Sequence, residues 1–417
     1  MSLFIPRNSF PNNRKEFLRD VVAGVTVALV AIPLAIGFGV TSGMSAATGI
    51  ATAIIAGFIA ALFGGSRFQV SGPTGAMTVV LIPVIHKYGV SAIPTLGIIA
   101  GALLILMSII RLGDWIKRVP HFVIEGFTFG IGIVIALQQL PLVLNVERAR
   151  GDRTIPVAYQ TLKKAWESGF NFWPIIIAVL TLIIKFNTEH ILRIAKIKFY
   201  VPASFMALIV ATTVVKIFGI DVPNIAQIPR NVFSWTPPDL TQVLYLIWPA
   251  MMIAFLSAIE SLLSARVAEQ MVKHSEPGEL QANRELFGQG LATSIACIFG
   301  GQPATGAIAR TAVNVRSRAH TRLASMIHAL TILLVIVAVA PLFSQIPAAA
   351  IGGVLIGASI RILNPRKLRE TLRTTKSELA VFFTTALITI SVDLIWGVAV
   401  GLAVYLIEKR RMSGPKD

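Results

Sequence analysis

Gln302-Pro-Ala-Thr-Gly-Ala307 repeats the order of residues in Ser71-Gly-Pro-Thr-Gly-Ala76, with Pro followed by Thr, Gly and Ala in each. Both stretches follow an apolar run that ends in a glycine pair, Gly64-Gly65 and Gly300-Gly301, and both open an apolar segment too short to cross a bilayer. A crossing helix needs about 20 residues. Proline and glycine are common in membrane helices anyway. Interrupted segments at matching positions of two halves are more telling, because they mark a transporter built from repeats with its site between them. Pro33 and Glu260 stand at similar distances ahead of the two breaks, and the polar, proline-containing stretch 221–242 is the natural junction.

Working outward, 55% of the 417 residues are hydrophobic and 14% charged. A soluble domain carries about 25% charged residues, so the composition is that of an integral membrane protein. The net charge is +17, from 37 Lys and Arg against 20 Asp and Glu. The basic residues gather in short loops and tails: Arg14-Lys15, Lys117-Arg118, Arg193/Lys196/Lys198, Arg316/Arg318/Arg322, Arg366-Lys367-Leu-Arg369 and Lys409-Arg-Arg411. That placement follows the positive-inside rule, and no basic face interleaved with aromatics points to nucleic acid. The one cysteine, Cys297, excludes a disulfide framework. The first 19 residues lack a signal peptide's apolar core, so the first span is expected to stay as an anchor.

Candidate spans are 21–41, 45–63, 74–87, 91–110, 119–140, 172–186, 200–218, 243–266, 286–300, 306–314, 323–342, 347–360, 378–392 and 394–408. Segments 157–168 and 364–374 are amphipathic and basic, as for helices lying on the membrane surface.

Two charges sit inside membrane-like segments, Glu260 and Arg310. A carboxyl at mid-depth costs about 2.5–3.5 kcal/mol on insertion scales and is by default functional. A half-helix that starts in mid-membrane leaves its first N–H groups without partners and presents the positive end of its dipole. Two such ends facing each other form an anion site. Thr74 and Thr305 are expected to add hydroxyl donors, while Gly75 and Gly306 allow close approach. Arg310, one turn into the second half-helix, suits a carboxylate or another oxyanion, and a structural ion pair with Glu260 is the alternative. Glu260 lies between desolvation and a neighbouring cation, the balance a proton-coupling group requires. Ser264, one turn on, also suits a sodium site, so proton and sodium coupling both stay open. His328 reads as a hydrogen-bonded structural histidine, Asp393 as a helix cap and Glu125 as interfacial. Arg266 and Glu269 fall near water. No catalytic, metal or nucleotide motif occurs in a plausible context, so neither an enzyme nor a cofactor is expected.

The sequence also resembles the SulP family, bacterial relatives of the animal sulfate and anion exchangers. The resemblance rests on Gly24-Val-Thr-Val-Ala-Leu-Val-Ala-Ile-Pro-Leu-Ala35, Gly64-Gly-Ser-Arg-Phe-Gln-Val-Ser-Gly-Pro-Thr-Gly75 and Gly126-Phe-Thr-Phe-Gly-Ile-Gly132. It continues through Ala258-Ile-Glu-Ser-Leu-Leu-Ser264, Glu285-Leu-Phe-Gly-Gln-Gly290 and Ala307-Ile-Ala-Arg-Thr-Ala-Val-Asn-Val315. The Ala-Ile-Glu-Ser-Leu-Leu and Ala-Ile-Ala-Arg segments look most like the proton-coupled C4-dicarboxylate branch.

The resemblance implies an all-α polytopic protein of fourteen transmembrane segments in two inverted seven-helix repeats, a uracil-transporter-like fold. A core domain of segments 1–4 and 8–11 would carry substrate past a gate domain by an elevator-like motion. The expected division is a tail at 1–20, repeats at 21–235 and 236–410, and a tail at 411–417, without the STAS domain that family members usually carry. The implied substrate site combines Phe38, Thr74, Gly75, Ala76, Thr305, Gly306, Ala307, Ile308, Ala309 and Arg310, with Glu260 and Ser264 coupling the ion. A homodimer in the bacterial inner membrane is implied as well. The sodium-coupled bicarbonate branch has Asp in place of Glu260 and Thr in place of Ile308. Animal exchangers typically have Gln where this chain has Leu34. The expectation is therefore proton-driven uptake of a C4-dicarboxylate such as fumarate or succinate. An inorganic-anion transporter is the rival within the class, and a membrane-embedded enzyme or a passive channel the rivals outside it.

Overall fold

Apolar segments that meet only lipid must satisfy their backbones internally, and in the computed structural model they do so as helices. The structure describes residues 10–116, 119–151, 153–194, 202–225, 227–272, 280–392 and 394–413. Lys117, Arg118, Lys196, Lys198, Asp393 and the two chain ends lie outside the described residues.

The first half holds α1 (Arg14–Thr41), α2 (Ala46–Phe63), α3 (Gly75–Tyr88), α4 (Ile93–Ile109), α5 (Leu112–Ile116), α6 (His121–Leu137), α7 (Leu140–Leu144), α8 (Thr154–Glu167), α9 (Phe172–Ile194) and α10 (Ala203–Ile217). The second holds α11 (Val243–Met271), α12 (Ala282–Ile298), α13 (Ile308–Arg316), α14 (Leu323–Phe343), α15 (Ala348–Leu363), α16 (Pro365–Thr371), α17 (Lys376–Ser391) and α18 (Leu394–Ser413). Two-residue strands, β1 (Ser71–Gly72) and β2 (Thr305–Gly306), precede α3 and α13. Each of the fourteen expected spans falls on one helix, and the two amphipathic segments are α8 and α16.

Boundaries depart from the hydropathy pattern where caps, not side-chain polarity, set them. α1 starts at Arg14, before its apolar run, because the Asn13 side chain accepts the Glu16 N–H at 3.0 Å. α17 starts with a capping box between Thr375 and Glu378. Val339 leaves helical geometry just before Pro341, whose ring cannot pack against the preceding turn.

The helices sort into two sets. α12 lies along α4 and α2, α1 along α14 and α2, and α11 along α4 and α13, forming the core domain. α17 packs on α6 and α18, and α15 on α9 and α6, with α10 against α9, forming the gate domain. Contacts of α1 with α15 and α3 with α6 join the two sets. Small residues allow the densest approach, between α4 and α12, where a Cβ on Gly290 would stand 2.6 Å from the Gly101 carbonyl oxygen.

Candidate functional site

The two breaks meet as an antiparallel ribbon, with Ser71 opposite Gly306 and Gly72 opposite Thr305. Each interrupted segment thereby satisfies backbone groups that a helix would have bonded internally. The Ala307 N–H extends the tie to the Val70 carbonyl at 3.0 Å. The chain then enters α3 and α13 from opposite ends of the ribbon.

At the start of α3, Thr74 is the extended N-cap residue. Its hydroxyl receives the Met77 N–H at a long 3.5 Å and donates to Glu260 Oε2 at 3.1 Å. The Gly75 and Ala76 N–H groups have no hydrogen-bond partner among the described residues. Gly75 is pressed from both sides: a Cβ there would come within 2.3 Å of Ile135 Cδ1 on α6 and 3.1 Å of Phe38 Cε1 on α1.

The start of α13 is built differently. Ala307 provides no side-chain cap, and the N–H groups of Ile308, Ala309 and Arg310 have no partner among the described residues. Ala309 is exposed and Ile308 half-buried, so this end is open to a ligand. The Arg310 side chain is 1% exposed and is among the largest fully buried side chains. Its Nη2 donates to the Pro73 carbonyl at 2.7 Å, while Nη1 is buried without a partner among the described residues. Gly72 makes the fit possible, since a Cβ there would come within 2.4 Å of Nη1. A buried donor left unmade is costly and calls for an explanation.

Glu260, half-buried on α11, and Arg310 therefore grip the same corner, Glu260 through the Thr74 hydroxyl and Arg310 through the Pro73 carbonyl. No ion pair joins the two among the described residues. A structural pair between them is not the arrangement found, although they stand close enough for their charges to interact.

Several expected donors are already committed. The Thr305 hydroxyl donates to the Ser257 carbonyl at 3.3 Å and meets Ser261 Oγ at 2.9 Å, and the Gly306 N–H donates to Ser261 Oγ at 3.0 Å. Ser264 turns to Thr311 Oγ1 at 3.0 Å rather than toward Glu260. The reason is local: β2 and α13 both lie against α11, and the nearest acceptors and donors take up these polar groups. His328 does not fit its expected role either. It is fully buried, yet neither ring nitrogen has a hydrogen-bond partner among the described residues, and the ring lies against Gly57. Glu125 is covered, paired with His121 at 2.8 Å and receiving the Thr371 hydroxyl at 3.1 Å.

Sequence reasoning missed Ser261, which follows Glu260 directly, and the role of Glu285. Glu285 is buried and accepts four hydrogen bonds: Gly65 N and Ser66 N at 2.7 and 2.9 Å, Gln69 Nε2 at 2.6 Å and Gln289 Nε2 at 2.9 Å. Gln289 also reaches Ser71 Oγ at 2.6 Å. This network holds the loop leading into β1. The available signal was an acid and an amide one turn apart, Glu285 and Gln289, on an apolar helix.

The profile of the sulfate permease family matches residues 17–385. YvdB of Bacillus subtilis (strain 168), provisionally named a sulfate transporter, is 34% identical over 410 residues, covering 96% of this chain and 75% of that protein. The bicarbonate transporter BicA of Picosynechococcus sp. is 31% identical over 410 residues, covering 93% of this chain and 69% of BicA. The solved transmembrane domain of a cyanobacterium bicarbonate transporter BicA superposes with a TM-score of 0.82 at 27% identity, covering 96% of this chain and 99% of that one.

Proposed function

The chain belongs to the sulfate permease family, a multi-pass membrane anion transporter, and we propose that it takes up a C4-dicarboxylate with a proton across the bacterial inner membrane. The observation that carries this reading is the buried Nη1 of Arg310, which has no partner among the described residues while Nη2 holds the Pro73 carbonyl just ahead of the equally unpartnered N–H groups of Gly75 and Ala76. A planar carboxylate can take Nη1 and a half-helix N-terminus together. Glu260 supplies the coupling. Ionised, it repels an incoming dianion. Protonated, it keeps the Thr74 hydroxyl as donor on one oxygen and offers its own O–H to the substrate, so binding of anion and proton reinforce each other.

The site lies where Phe38 and Gly75 of the core meet Ile135 of the gate. An elevator-like slide of segments 1–4 and 8–11, within repeats 21–235 and 236–410, would carry it from one face to the other. A second reading, transport of an inorganic oxyanion, draws on the names of YvdB and BicA, and an oxyanion of either kind suits the same donors.

The test is uptake of labelled fumarate into proteoliposomes under an inward proton gradient without sodium. Uphill accumulation that collapses with a protonophore is expected. Accumulation of sulfate or bicarbonate with fumarate neither carried nor competing would overturn the substrate and keep the site. Dependence on sodium in place of protons would overturn the coupling.

A further inference from the structure

Asp20, buried in α1, accepts the backbone N–H groups of His320 and Thr321 at 2.6 and 3.1 Å, tying the start of α1 to the turn between α13 and α14. Beside this tie lies a cleft lined by Arg14, Lys15 and Arg19 of α1, by Arg318, and by the apolar Leu18 and Val22. The lining holds four cations and no carboxylate, and none of the four makes an ion pair among the described residues. Of the two acids adjoining these cations in sequence, Asp20 is taken up by His320 and Thr321 and Glu16 is turned to Asn12, Asn13 and His320.

Two further features belong to the same cleft. Arg318 closes α13 with φ +63°, in the left-handed region that usually takes Gly or Asn, while the Ala319 N–H returns to the Asn314 carbonyl. Arg318 is exposed there, at the edge of the cleft. Below the cations, Leu18, Val22 and Val25 are 51%, 61% and 39% exposed and lie along one face of α1 at helical spacing. Cations at the mouth and an apolar strip leading away match the two parts of a phospholipid. Basic clusters beside a membrane helix attract the anionic cytoplasmic leaflet, and the positive-inside rule places both segments on that side.

We propose that this cleft binds the headgroup of an anionic phospholipid, with an acyl chain along Leu18, Val22 and Val25. An occupant bridges α1 to the far end of α13, the half-helix that begins beside Arg310.

The experiment is native mass spectrometry of the whole protein in a neutral detergent, titrated with phosphatidylglycerol or phosphatidylcholine. Phosphatidylglycerol is expected to be retained and phosphatidylcholine lost. R14Q/K15Q/R19Q/R318Q should weaken phosphatidylglycerol binding by about tenfold, while K163Q/K164Q on α8 leaves it unchanged. R318Q alone, with its melting temperature checked, gives the same direction if the quadruple variant folds poorly. Equal retention by the quadruple and wild-type proteins overturns the proposal, as does equal retention of both lipids. Displacement of the lipid by inorganic phosphate alone also overturns it, by making the cleft a site for free anions.

Discussion

α3 begins under a threonine cap and runs for fourteen residues, whereas α13 begins without a side-chain cap, runs for nine and carries Arg310 in its first turn. The two breaks share a sequence pattern and a backbone ribbon, but only the second brings a charge. The charge is not anchored in its own half, since Arg310 bonds the Pro73 carbonyl and Glu260, also from the second half, accepts the Thr74 hydroxyl. In the proposed reading the first break is thus the frame and the second half the chemistry, and neither is a site by itself. A pseudo-symmetric fold can keep one half geometrically faithful while the other diverges, provided the divergent groups are held by the faithful one.

The strongest way to break that comparison is Arg310→Ala. It removes the buried cation held against the first break and leaves the first half intact, so uptake efficiency should fall roughly a hundredfold or more, the scale of about 3 kcal/mol for truncating a buried charged partner. Arg310→Lys should rescue little, because a lysine cannot hold Pro73 and a carboxylate at once in a planar fork. Initial rates over a substrate series in proteoliposomes measure both. Unchanged efficiency in the alanine variant would return Arg310 to a structural role.

Glu260→Gln tests the link between the halves. The amide oxygen still accepts the Thr74 hydroxyl, so the fold and substrate exchange should persist, while accumulation driven by a proton gradient is lost. Counterflow exchange and gradient-driven uptake, measured on the same vesicles, separate the two. Proton-driven accumulation at the wild-type level would remove Glu260 from the coupling step.

The two glycines of the first break sharpen the distinction further. Gly72→Ala forces a Cβ to within 2.4 Å of Arg310 Nη1 and should weaken substrate binding by about tenfold, within the usual cost of overpacking. Gly75→Ala instead collides with Ile135 across the core–gate contact. It should lower turnover more than affinity. If both variants changed KM alone, the core–gate contact would have no part in the rate.

Much of this was legible beforehand. Most of the fourteen helices follow from apolar runs long enough to cross, and the two short ones from breaks at matching positions that carry Pro, Thr, Gly and Ala in that order. Glu260 and Arg310 stood out because charge at mid-depth is expensive. The partners of the neutral polar groups were not legible. Thr305 and Ser264 look as available in sequence as Thr74 does, yet they bond Ser261, Ser257 and Thr311, because β2 and α13 both run against α11. Hydroxyl partners are decided by rotamer and by which helix passes within 3 Å, and hydropathy carries neither. The same blindness made His328 look satisfied and left Glu285 without a role, since its four partners come mostly from a loop more than 200 residues away.

The smallest expected effect tests that lesson directly. Thr74→Val and Thr305→Val delete the same hydroxyl at equivalent places in the two breaks. At Thr74 the loss removes a helix cap, about 1 kcal/mol, and strands Glu260 Oε2 without its donor. At Thr305 it removes a tie to Ser261 and Ser257 and touches neither Glu260 nor Arg310. Thr74→Val should therefore shift the pH dependence of uptake, because the stability of the Glu260 carboxylate depends on that hydrogen bond. Thr305→Val should lower thermal stability slightly and leave the pH profile where it was. Thr74→Ser, which keeps the hydroxyl, should restore the wild-type profile. A pH profile moved equally by both valine variants would mean that the two breaks are functionally equivalent after all, and the division between frame and chemistry would fall.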